Sequence, residues 1–81
     1  MKKYELVNYN ESLGLYRIKA LRTFSDVKLG DMGGWISCEN NLSHYDDAWV
    51  YGNAQVYGNA WVSGEAKVSG EAKVTGNAWV T

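Results

Sequence analysis

Proline is absent from this 81-residue chain, and cysteine and histidine occur once each, at Cys38 and His44. A lone cysteine excludes an internal disulfide and a cysteine-built zinc site, and it suits a reducing, cytoplasmic compartment. Neither sign of charge dominates, since eight Lys and Arg oppose nine Asp and Glu for a net charge of −1. That balance argues against nucleic acid as a partner held by phosphate contacts. Apolar runs last only a few residues, which excludes a transmembrane helix and gives no reason to expect a membrane partner. The start, Met1-Lys2-Lys3-Tyr4-Glu5, is basic but no apolar stretch follows, so it does not read as a secretory signal. What the chain does have is aromatic residues, at 14%, and nine glycines. The placement of those glycines carries the fold.

Five of them, Gly52, Gly58, Gly64, Gly70 and Gly76, recur every six residues. Two further columns keep the same period without exception. Alanine stands at 48, 54, 60, 66, 72 and 78, and valine at 50, 56, 62, 68, 74 and 80. Residues two apart on a strand share a face, so each Ala and Val pair points inward and the residue between them points outward. The outward set is Trp49, Gln55, Trp61, Lys67, Lys73 and Trp79, which share no chemistry. A glycine followed by Asn or Glu marks a corner after each short strand. A helix is excluded, because a period of six keeps no single face of a 3.6-residue turn. Three hexads close a triangle of eighteen residues. That stacks Val50 with Val68, Val56 with Val74 and Val62 with Val80 inside, and Trp49 with Lys67, Gln55 with Lys73 and Trp61 with Trp79 outside. Ile36 and Leu42 extend the inward column backward, but Leu42 to Val50 is eight residues, so two residues bulge out within Ser43–Asp47.

The run Tyr/Ser/Thr-Gly-Asn/Glu-Ala-x-Val resembles the hexapeptide-repeat proteins, in which an inward aliphatic residue follows a small residue two places earlier. The resemblance implies an all-β fold, a short left-handed parallel β-helix of three hexads per coil and about two and a half coils. Together with Leu15-Tyr16-Arg17-Ile18-Lys19-Ala20-Leu21 and Gly33-Gly34-Trp35-Ile36, the repeat is similar to short proteins of phages and prophages. It implies a bacterial host cytoplasm, and contact with a host protein, such as a component of anti-phage defence, as the function.

Residues 1–35 lack the repeat. Tyr4–Val7 and Leu15–Leu21 read as two strands joined by the polar stretch Asn8–Gly14, a β-hairpin that caps the first coil. Residues 24–34 read as irregular, with a turn at Leu29-Gly30-Asp31. No Gly/Ser-rich linker separates this cap from residues 36–81, so both belong to one domain. The last hexad, ending Val80-Thr81, keeps the register of the others and would leave an apolar cross-section open. A homo-oligomer through that C-terminal coil, most simply a two-fold dimer, is the expectation. A segment of a longer solenoid is the alternative.

Chemistry-bearing residues are few. His44, in the bulge, is the one candidate general base for a minimal hexapeptide-type acyltransferase. Cys38 has no histidine near it in sequence and reads as a small buried hydrophobe. Glu39, Asp46 and Asp47 lack the glycine-spaced pattern of a calcium loop and read as a solvated turn. No metal or cofactor is expected, and no enzyme activity. The outward or corner aromatics Tyr45, Trp49, Tyr51, Tyr57, Trp61 and Trp79 are too large for an Ala/Val interior. Trp49, Trp61, Trp79, Tyr51, Tyr57 and the terminal Val80 are therefore the expected protein interface. Packing beneath the N-terminal segment is the competing destination for some of these rings.

Overall fold

The computed structural model describes residues 2–81. The described residues are all-β apart from one 3-10 turn at Glu39–Asn41. Three longer strands come first: β1 (Tyr4–Asn10), β2 (Leu15–Ala20) and β3 (Met32–Ile36). Six two-residue strands follow: β4 (Trp49–Val50), β5 (Gln55–Val56), β6 (Trp61–Val62), β7 (Lys67–Val68), β8 (Lys73–Val74) and β9 (Trp79–Val80). Each short strand carries the outward residue and the valine of one hexad.

The short strands pair in parallel at a step of eighteen. β4 pairs with β7, β5 with β8 and β6 with β9, matching Val50 to Val68, Val56 to Val74 and Val62 to Val80. The outward partners are Trp49 with Lys67, Gln55 with Lys73 and Trp61 with Trp79. One ladder step earlier the offset becomes twenty, with Ile36 opposite Val56 and Leu42 opposite Val62. The two added residues fall in the stretch between Leu42 and Val50. At the corners, Ala54 N–H donates to Tyr51 O and Ala60 N–H to Tyr57 O. Gly58 sits there at φ +70 and the following Asn does not take a positive φ, the pattern of a type II′ turn with glycine first.

β1 and β2 form the antiparallel hairpin, with Tyr4 opposite Ala20 and Asn10 opposite Leu15. β1 runs three residues beyond the expected Val7, through a bulge at Asn8, whose φ of +50 asparagine tolerates better than most residues. β3 corrects the sequence reading, which left residues 24–34 irregular. It pairs antiparallel with β2 on one edge and parallel with β5 on the other, and so crosses from residue 35 to 36 without a break. The five-stranded sheet β1-β2-β3-β5-β8 thus joins the hairpin to the hexads. Its glycines permit this. A Cβ on Gly33 would stand 2.6 Å from Val50 O, and one on Gly34 2.6 Å from Ala54 O. One buried cluster runs through both halves, from Tyr4, Ile18, Phe24 and Val27 to the inward Ala and Val columns.

Candidate functional site

Two regions concentrate functional groups: a polar lock where the N-terminal strand meets residues 37–48, and an aromatic row on the hexads. The lock begins with Lys3, whose side chain is fully buried. Its Nζ donates to Asp46 O at 2.8 Å and to Ala48 O, lies 3.8 Å from Asp46 Oδ1, and sits over the Phe24 ring. Burial pushes the Lys3 ammonium down to about 8, against the pull of Asp46. The Asp46 carboxyl, raised by burial, is held below its ordinary value overall by N–H donors from Gly64 and Ala48. These contacts pin the bulge on both sides. Its tip, Tyr45, is 92% exposed.

His44 sits in the same lock. The Lys3 N–H donates to His44 Nδ1 at 3.1 Å, so Nε2 carries the ring proton and donates to Glu39 Oε1 at 2.7 Å. The ring stacks on Tyr4, with centroids 4.0 Å apart. Both nitrogens are committed within the chain, which leaves neither lone pair facing a substrate. Glu39 is held below the usual carboxylate range by the His44 donor and by Lys2. The Tyr4 hydroxyl donates to Leu42 O at 2.6 Å, and burial holds it well above its ordinary value. Cys38 corrects the expectation of burial: it is exposed. Among the described residues, no group of three or more His, Cys, Asp or Glu is placed to hold a metal ion.

Asn41 is the residue the sequence reading missed. Its Oδ1 accepts from Ser37 N–H, Cys38 N–H and the Ser37 hydroxyl, and its Nδ2 donates to Ala60 O at 2.8 Å. Neighbouring ladder donors explain the geometry. Trp35, Ser37 and Ser43 each send their N–H to the carbonyl nineteen residues on, at Ala54, Val56 and Val62. Asn41 N–H is diverted to Cys38 O by the 3-10 turn, and the side-chain amide supplies the missing donor at Ala60.

The lock has a measurable pH signature. Between the folded value of Lys3 near 8 and its ordinary 10.5, the unfolded chain binds more protons, so stability rises with pH. Above pH 10 the direction reverses, because Tyr4 and Tyr51 ionise in the unfolded chain before they do in the folded one. Urea midpoints are expected to rise from pH 8 to just below 10 by the equivalent of about 1–2 kcal/mol and then fall. In Lys3→Met the rise disappears; if it persists, another group titrates there.

The aromatic residues divide. Trp49 does not reach an interface: it is 1% exposed, with Phe24 edge-on at 5.2 Å and Tyr4 at 6.2 Å. It points outward from its hexad, and the N-terminal segment folds over it. Tyr51 is half-buried and donates to Asp26 at 2.7 Å, an anion that also faces Lys67. Tyr57, Trp61 and Val80 are half-buried, and Trp79 is 76% exposed. Trp61 and Trp79 are register partners on β6 and β9, flanked by Asn59 and Asn77, whose amides bond at 3.3 Å. Of the residues expected at an interface, Trp61, Trp79, Tyr51, Tyr57 and Val80 keep exposed surface, as does the bulge Tyr45. A shallow groove of about 430 Å³ on the β5–β8 side is lined by Asn53, Gln55, Glu71 and Lys73. Compared with known proteins, the chain matches no family model and no curated protein.

Proposed function

We propose that this chain is a short left-handed parallel β-helix, residues 36–81, covered by an N-terminal cap of residues 1–35 within one domain, and that it acts by protein–protein contact. The parallel pairing at a step of eighteen, with glycine corners every six residues, supports the β-helix. Handedness follows from the hexapeptide-repeat resemblance. In its concrete form the protein is a small phage product that works in the cytoplasm of the bacterial host, where it binds and inhibits a protein of anti-phage defence. The observation that carries the contact function is Trp79, three-quarters exposed in one row with Trp61. Exposed tryptophan is the residue type most enriched at interface anchors, and the Asn59–Asn77 pair supplies the polar flank such anchors have. Nothing in the polar lock competes as a functional centre, because His44 spends both ring nitrogens inside the chain.

The test compares the wild type with Trp79→Ser as bait in a bacterial lysate, alongside phage plating on cells that express either protein. One host protein retained by the wild type and lost with Trp79→Ser is the expected result, together with restored phage resistance. Identical bound proteins for both baits, or no effect on plating, would defeat the proposal.

A further inference from the structure

We infer that the outer face of the five-stranded sheet carries a binding groove for a neutral saccharide, set on β5 and β8 beside Trp35. Register places the site. Val7 pairs with Arg17, Arg17 with Trp35, Trp35 with Gln55 and Gln55 with Lys73, so these side chains form one row across the sheet. Directly paired residues share a face, and the neighbouring row of Ile36, Val56 and Val74 packs into the core. The row through Trp35 therefore faces out. The groove of about 430 Å³ opens along its last two members, between the strand residues Gln55 and Lys73 and the turn residues Asn53 and Glu71. It lies on the flat of the sheet rather than at its edge, so strand pairing along the outer edge of β8 lengthens it and does not fill it.

The indole beside the groove is fixed from the far side. Arg17 lies over the Trp35 ring at 5.1 Å, its Nε–H donates to Gly33 O at 2.9 Å, and its Nη2 donates to Gly52 O at 3.5 Å. Those contacts come from β2, whereas the groove lies across β5, on the opposite side of β3. The bond to Gly52 also ties down the corner that carries Asn53. Trp35 and Gln55 are both half-buried, so neither is a freely moving surface side chain.

The four groove side chains are unspent. Elsewhere on the hexads polar groups pair within the chain, Asn59 with Asn77, Lys67 with Asp26 and Asp46 with the Gly64 N–H. Among the described residues, the side chains of Asn53, Gln55, Glu71 and Lys73 make no hydrogen bond or ion pair, although they stand around one groove. Their chemistry selects the ligand. Each primary amide offers donors and an acceptor, the Lys73 ammonium only donates and the Glu71 carboxylate only accepts. A hydroxyl does both, so a ring bearing several hydroxyls can satisfy all four. An anionic ligand would meet Glu71 as well as Lys73, and the Arg17 guanidinium is spent on two carbonyls and the indole. A cation would meet Lys73, so neither sign of charge finds a net counter-charge. The C–H face of a pyranose ring gives Trp35 an apolar partner. A volume of about 430 Å³ lies within the range of small-ligand sites, about 300–1,000 Å³, and admits a mono- or disaccharide.

An NMR titration of the isotope-labelled chain tests the site, with maltose, cellobiose and N,N′-diacetylchitobiose as probes and adenosine monophosphate as the anionic comparison. At least one of the sugars is expected to shift the Trp35 indole and Gln55 amide signals saturably, with Kd about 1–10 mM, and to leave the Trp61 and Trp79 indoles unmoved. Gln55→Ala and Lys73→Ala remove side chains that bond nothing within the chain. Each is expected to keep the wild-type spectrum away from the groove and to weaken that sugar about fivefold. The inference is overturned by no saturable shift with any of the sugars, by shifts centred on Trp61 and Trp79, by tighter binding of adenosine monophosphate, or by unchanged affinity in either variant. The groove shares no residue with the Trp61–Trp79 row, so the inference stands or falls independently of the contact function above.

Discussion

Asn41→Ala is expected to lower folding stability by about 4 kcal/mol, read as a drop in the urea midpoint without a change in slope. The amide is fully buried and works on two sides at once. Its oxygen gathers the N–H groups of Ser37 and Cys38, and its nitrogen supplies the donor that the ladder lacks at Ala60. Alanine fills neither role, and each buried polar group left without a partner costs about 1–3 kcal/mol. Ser37→Ala removes the hydroxyl bond to Asn41 Oδ1 and a long 3.9 Å contact with Cys38 Sγ, and is expected to cost about 1 kcal/mol. Asn41→Asp keeps the acceptor but loses the donor to Ala60, and belongs nearer to the alanine variant than to Ser37→Ala. If Asn41→Ala costs no more than Ser37→Ala, water replaces the amide and the substitution for a ladder donor has no energetic weight.

What the sequence made legible was whatever repeats. A period of six with Ala and Val two apart fixes which side chains face in, and three hexads to a return fix the register. Even the slip before Val50 followed from counting, because Leu42 to Val50 exceeds the period by two and the earlier ladder is offset by twenty. What stayed hidden depends on contacts between distant segments. Met32-Gly33-Gly34-Trp35-Ile36 has two adjacent glycines, and its first three residues read locally as irregular. It is a strand because two other segments approach closer than any Cβ would allow. Trp49 alternates outward like Trp61 and Trp79, and nothing local says that Tyr4 and Phe24 will close over it. The burial of Lys3 has no local signal either: two backbone carbonyls and Asp46, more than forty residues away, hold it inside. In the candidate site, the Trp61–Trp79 row was readable from spacing alone. The commitment of both His44 nitrogens was not, since their partners, Lys3 and Glu39, come from opposite sides of the ring.

Gly34→Ala is expected to be at least as damaging, with a loss of about 4 kcal/mol or more. Its new Cβ would meet Ala54 O and Val50 Cγ1, each at 2.6 Å, and Tyr51 O at 3.3 Å. Neither of the nearest two atoms can yield cheaply. Val50 is fully buried in the inward column, and Ala54 O is the acceptor for Trp35 N–H at 2.9 Å. Moving that carbonyl opens the β3–β5 ladder, the only strand pairing that joins the hairpin to the hexads among the described residues. The loss is steric, since Gly34 does not take a positive φ. Gly30 supplies the contrast: its φ is +93 but a Cβ there meets nothing within 4 Å, so Gly30→Ala is expected to cost about 1–2 kcal/mol of backbone strain alone. Hydrogen exchange separates the two mechanisms. In Gly34→Ala, protection is expected to fall first at the N–H groups of Trp35 and Ser37, which bind Ala54 O and Val56 O, while Gly30→Ala leaves both protected. A smaller loss for Gly34→Ala than for Gly30→Ala means that β3 can shift away from the hexads, and the close approach then does not explain the paired glycines.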